Sequence, residues 1–193
     1  MEKAEKRPDK LTRDFKVRQV EGEGNERKFT LSFSSEEPYE RWWGIEILDH
    51  SEGAVNLTRL NEIGCVLYNH NKDKVIGKIL KAEVSGGRGE ATVEIDEDAE
   101  SEVIFQKMKS GTLKGVSVGY SVNSWEEVAA GKKSGDGKYT GPCSIARSWE
   151  AYEISVVSIP ADITVGVGRS KEESLGAVGI FERQLVINKN FMN

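Results

Sequence analysis

The chain is predicted to fold as an α+β domain, mostly an antiparallel β-barrel with a few surrounding helices. Three observations lead there. Short runs of apolar residues alternate with polar ones at period 2, and Gly, Pro or Asn turns separate them. Only one long stretch changes to a helical period. No internal repeat is evident, and 193 residues suffice for one substantial core.

In chain order, residues 1–26 are rich in Lys, Arg, Glu and Gly and poor in apolar residues, and are expected to form a flexible N-terminal arm. Strands are expected at Lys28 to Phe33 and, after the Glu36-Glu37-Pro38 break, at Arg41 to Leu48. Asn56 can cap a short helix that carries Leu57, Leu60 and Ile63 and ends at Gly64. Cys65 to Tyr68 is a short apolar run stopped by the polar turn Asn69-His70-Asn71. Val75 to Val84 and Gly89 to Ile95 read as two further strands joined through Gly86-Gly87.

Asp96 to Ser110 has acidic residues in its first turn, Ala99, Val103 and Met108 at helical spacing, and Gly111 just beyond. That pattern predicts a helix with its negative charges at the favourable end of the dipole. Gly131 to Gly137 reads as a flexible connection, and Trp149 to Ile159 as a last strand stopped by Pro160. A folded domain over 27–168 and a C-terminal tail over 169–193 follow. In that tail, Leu175 to Leu185 is expected to form a weak helix and the final residues are expected to fray.

Composition narrows the function classes. A net charge of −5 and a pI near 5.3 leave no basic stripe for nucleic acid. No apolar run approaches the roughly 18 residues that span a membrane, and the charged N-terminus has no signal-peptide core, so neither is expected. Two cysteines are too few for a disulfide framework or a zinc cluster, which makes a reducing compartment the default. No cofactor or metal is expected.

The segment with the clearest chemical potential is Gly115-Val116-Ser117-Val118-Gly119-Tyr120. As a strand it puts Val116, Val118, Tyr120 and Val122 on one face, and Gly115, Ser117, Gly119 and Ser121 on the other. The second face is stripped of bulk. Either another backbone packs closely there, or Ser117 is a nucleophile left open to substrate.

A nucleophilic serine needs a base, and only two histidines exist. His70 ends a strand in a polar turn, where sheets present functional groups; His50 reads as a surface turn residue. A third group would fix the imidazole tautomer. Glu153, in the apolar Trp149 to Ile159 strand, is costly there unless paired; on an even alternation it shares a face with Ala151, Ser155 and Val157. Glu150 fits a solvated edge position, and Asp162 is a weaker candidate. Lys114 lies an odd number of residues from Ser117 and so faces the other way. The string Gly115 to Gly119 also matches the Gly-x-Ser-x-Gly elbow of small-ester hydrolases, but alternation continuing through Val122 argues for an unbroken strand.

The order of blocks resembles the phage prohead (capsid maturation) proteases of the HK97 type. The blocks are Glu37-Pro38-Tyr39-Glu40-Arg41, Asp49-His50-Ser51-Glu52-Gly53-Ala54-Val55-Asn56-Leu57, Leu67-Tyr68-Asn69-His70 and Ile76-Gly77-Lys78. Gly115 to Tyr120 and Glu153 to Asp162 complete the series. Together they cover residues 28 to 168.

The resemblance implies a serine endopeptidase with a barrel fold related to the herpesvirus assemblins. Its nucleophile is implied at Ser117 and its base at His70. Assemblins use a second histidine placed after the serine; none follows Ser117 here, and Glu153 is the best substitute. Also implied are cleavage of the scaffold segment of the major capsid protein, and of the protease itself, inside an assembling procapsid in the host cytoplasm. The arm and tail then read as tethering or self-trimmed segments. Self-association is left open, because the assemblins act as dimers. The reading set against all this is a non-catalytic capsid assembly module with Ser117 as a packing residue.

Overall fold

The computed structural model describes residues 11–20 and 25–159. Among these, ten strands form one sheet: β1 (Leu11–Gln19), β2 (Lys28–Ser35), β3 (Tyr39–Arg41), β4 (Gly44–Leu48), β5 (Val55–Asn56), β6 (Cys65–Tyr68), β7 (Asn71–Ser85), β8 (Arg88–Ile95), β9 (Gly115–Val128) and β10 (Cys143–Val157). The helices are α1 (Thr58–Ile63) and α2 (Ala99–Lys109).

The fold is therefore mostly β with two helices, but the sheet is mixed where antiparallel pairing was expected. The difference comes from β10. It pairs antiparallel with β9 over nearly its whole length and runs parallel to β4, β5 and β6. A 15-residue strand has room for three short partners in succession along one edge. Beyond β6 the pairings continue antiparallel through β7, β8, β2 and β1 to β9.

The core lies on the face that alternation selects. Phe29, Leu31 and Phe33 of β2, Val93 and Ile95 of β8, Val116, Val118 and Tyr120 of β9, and Ile154 and Val156 of β10 are all buried together. Each such side chain contributes about 1.5–3 kcal/mol on burial. α2 closes one side of this core with Ile104, Phe105 and Met108, and the Phe105 ring meets Phe29 edge-on at 6.0 Å. Asp98 caps α2 by accepting from the Glu100 and Ser101 amides. Arg27 ties the helix to β8, donating to the Ile95 carbonyl at 2.8 Å and to Glu102 at 2.6 Å.

Several sequence expectations need correction. Leu11–Gln19, inside the expected flexible arm, is a strand between β2 and β9. The strand expected over Arg41 to Leu48 is a hairpin, turned at Trp42-Trp43. Ile63, expected on the short helix, and Val103, expected at helical spacing with Met108, are 76% and 52% exposed; the packed face of α2 is set by Ile104, Phe105 and Met108. The Gly131 to Gly137 connection is a hydrogen-bonded turn: the Ser134 amide donates to the Tyr139 carbonyl at 2.9 Å, and Asp136 meets Arg147. Asp162, Pro160 and the tail over 169–193 lie outside the described residues.

Candidate active site

Ser117 is the third residue of β9, with Val116 and Val118 turned into the core on either side. Its strand runs on to Val128, so the elbow reading fails: no helix follows the serine. Across β10, Ser117 pairs with Ser155 and Gly119 pairs with Glu153.

A bulge decides where Glu153 points. Ala151 pairs with Tyr120, yet Glu153 pairs with Gly119, so Tyr152 is an extra residue on β10. Ala151 therefore belongs to the core face with Tyr120. Glu153 and Ser155 share the Ser117 face, and the expected common face of Ala151 and Glu153 is corrected by that insertion. Gly119 makes room for the displaced residue, since a Cβ there would lie 2.7 Å from the Tyr152 ring.

His70 arrives from the other side of β10. Tyr68 of β6 pairs with Asn71 of β7, so Asn69 and His70 form a two-residue hairpin loop with φ of 52° and 58°. Positive φ at both positions is what a type I′ turn demands, a conformation uncommon outside glycine that asparagine and histidine enter more readily than most residues. Asn69 anchors the loop to the end of β10: its amide donates to the Val156 carbonyl at 2.9 Å, and its Oδ1 accepts from the Ser158 amide at 2.9 Å.

The three elements bring their side chains into one chain of hydrogen bonds. Ser117 Oγ lies 2.8 Å from His70 Nε2, and His70 Nδ1 meets Glu153 Oε1. A carboxylate accepts, so Nδ1 carries the proton and Nε2 accepts from the serine hydroxyl. Burial pushes the Glu153 carboxyl up, but hydrogen bonds from His70 and Ser155, with the charges of His70 and Lys72, outweigh it and hold it below the ordinary glutamate value. The acid behind the imidazole is thus held in its ionised form. Ser117 itself is only 1% exposed, whereas the His70 side chain is 32% exposed.

Residues 16–175 match the family described as caudovirus prohead serine protease, which is most of the chain. The chain belongs to that family. Among curated relatives, the "Major capsid protein" of Halomonas phage phiHAP-1 is 32% identical over 154 residues, covering 78% of this chain and 24% of that protein. The "Capsid polyprotein" of Pseudomonas phage PAJU2 is 28% identical over 125 residues, covering 59% of this chain and 17% of that protein. The chain therefore spans a quarter or less of the relatives it matches. No solved structure matches.

The remaining candidates of this prohead serine protease family member separate clearly. His50, expected on the surface, is buried at 6%. Its Nδ1 donates to the Leu48 carbonyl at 2.9 Å, so Nε2 accepts from Ser34 Oγ at 2.7 Å, and its ring packs edge-on against Trp149. Neighbouring Asp49 binds Arg147. Lys114 is exposed and precedes β9. No group of three His, Cys, Asp or Glu among the described residues is placed to hold a metal, and no described helix is long and apolar enough to cross a membrane.

Sequence reasoning passed over Ser155, Asn69 and Tyr152 as contributors to the site. A polar residue recurring in an apolar strand was the available signal for Ser155. Nothing local announced Tyr152, because the bulge that places it depends on pairing with β9.

Proposed function

We propose that the protein is a serine endopeptidase that cleaves the scaffold segment of a phage major capsid protein, and itself, inside the assembling procapsid in the host cytoplasm. The observation that carries this reading is the unbroken hydrogen-bond chain from Ser117 through His70 to Glu153. Ser117 Oγ attacks the peptide carbonyl while His70 Nε2 takes its proton. The tetrahedral intermediate collapses as His70 returns that proton to the leaving amine, and water then hydrolyses the acyl-enzyme by the same two transfers. Glu153 holds the Nδ1–H tautomer and stabilises the imidazolium.

Two further observations support the reading. The relatives are named for capsid proteins, which favours a capsid protein as the partner. The strand pairings lead from β10 through β6, β7, β8, β2 and β1 to β9, which pairs with β10 again. That succession describes a mixed sheet that returns to β10, and kinship with the herpesvirus assemblins rests on the order of the sequence blocks alone.

A second reading, a non-catalytic capsid assembly module, is favoured by the burial of Ser117. Co-expression with the capsid protein separates the two. Under the protease reading the parent shortens the capsid protein or itself, and Ser117→Ala leaves both at full length by intact mass. Identical trimming by both chains removes Ser117 from the role of nucleophile. Particles that assemble without any cleavage favour the assembly module.

A further inference from the structure

Ser155 is fully buried on β10, directly across from Ser117. A hydroxyl in that setting is costly unless its bonds are made. Both are made, and both to members of the site. Ser155 Oγ accepts from the backbone amide of His70 at 3.2 Å and donates to Glu153 Oε1 at 2.9 Å.

We propose that Ser155 is a positioning residue: its hydroxyl clamps the His70 backbone to the Glu153 carboxylate and so holds base and acid in register behind Ser117. The inference rests on the protease reading above for its consequence and on the hydrogen bonds for its substance. The direction of each bond matters. The hydroxyl has a single proton; giving it to Glu153 leaves only lone pairs for the His70 amide. The His70 amide belongs to a residue at positive φ in a two-residue turn, where a small rotation swings the ring by a large arc. Glu153 Oε1 in turn receives from Ser155 and from His70 Nδ1, so one atom fixes the carboxylate rotamer and the ring together. Side-chain registry of this kind is worth far more in rate than in stability, since a misplacement of about 1 Å can cost about 10²-fold.

The test uses the whole 193-residue chain, with diisopropyl fluorophosphate as probe. Ser117 Oγ displaces fluoride from phosphorus, an O–P bond replaces the P–F bond, and His70 takes the hydroxyl proton. Adduct formation is followed by intact mass, with Ser117→Ala as the blank. The low-field proton resonance of His70 Nδ1–H is recorded alongside, and melting curves check folding. Ser155→Ala is expected to slow adduct formation about 10- to 100-fold and to move or broaden the resonance in a chain that still melts cooperatively. Ser155→Cys keeps a similar shape with a weak donor; it is expected to show the same two changes, and it decides the question if Ser155→Ala does not fold. A folded variant with the parent rate and the parent resonance overturns the proposal. Failure of the protease reading looks different: the parent takes no adduct at Ser117, while the resonance still reports whether Ser155 holds His70 against Glu153.

Discussion

Glu153 on β10 stands opposite Gly119 on β9, while Ala151, only two residues earlier, stands opposite Tyr120. One inserted residue, Tyr152, separates the two pairings. It converts an even alternation into a core alanine followed by an acid on the outer face. Gly119 carries no side chain to oppose the insertion, and the Tyr152 ring fills its place.

Gly119→Ala is therefore expected to damage the site through Tyr152. The new methyl would sit 2.7 Å from the ring, and relieving that overlap costs about 1–3 kcal/mol. The bulge shifts with the ring and carries Glu153 away from His70. Urea denaturation should show the loss of stability, and phosphorylation of Ser117 by diisopropyl fluorophosphate should slow with it.

Glu153→Gln separates charge from geometry. The amide oxygen still accepts from His70 Nδ1, but the compensating negative charge is gone. Phosphorylation of Ser117 by the fluorophosphate is expected to fall about 10²–10⁴-fold with little change in the urea midpoint. An unchanged rate would remove Glu153 from the proposed triad.

Asn69→Ala should loosen the His70 loop. It removes the acceptor for the Ser158 amide and places a poorer residue at φ 52°. The cost is expected at about 1–2 kcal/mol, with adduct formation at Ser117 slowed about 10-fold. Asn69→Gly keeps the backbone freedom and loses only the anchor, so comparing the two variants by melting and by intact mass apportions the effects.

Arg147 predicts an acid-dependent stability. Its guanidinium binds Asp49 at 2.8 Å and Asp136 at 2.9 Å through Nη1, and Glu126 at 2.6 Å through Nε. Burial pushes the Asp49 carboxyl up, but the Arg147 and Ser51 hydrogen bonds outweigh it and leave it below its ordinary value. Arg147 and Ser134 hold Asp136 well below its own. Groups lowered in the folded state stabilise fully above the ordinary carboxylate range, near pH 4. That stabilisation is lost as pH falls from there through the lowered folded values. Arg147→Ala should flatten this acid limb in urea titrations. At neutral pH it should cost about 1–3 kcal/mol, less than a fully buried network would, because Asp136 and Glu126 are partly in water.

Much of the fold was legible because its strands have one buried face. The alternation of Phe29, Leu31 and Phe33, or of Val116, Val118 and Tyr120, is the direct imprint of a core on one side. β1 was illegible for the opposite reason: its run Leu11–Gln19 is largely polar, and it is a strand because β2 and β9 supply backbone partners on both edges. Trp42-Trp43 misled because two large apolar residues can occupy a turn when a hairpin is short. His50 misled because a polar string around it hid a buried ring packed edge-on against Trp149.

The sequence by itself determined which residue types could do chemistry: a serine on a face of small residues, two histidines, and an acid inside an apolar strand. Those choices are local, written in side-chain size and in the cost of burying charge. Only the tertiary structure decided that Ser117, His70 and Glu153 touch, that Ser155 joins two of them, and that His50 lies apart with Ser34. Contact between residues dozens of positions apart depends on strand register, on one bulge and on one two-residue turn. Each of these is set by pairing energies shared across strands, which no single stretch of the chain contains.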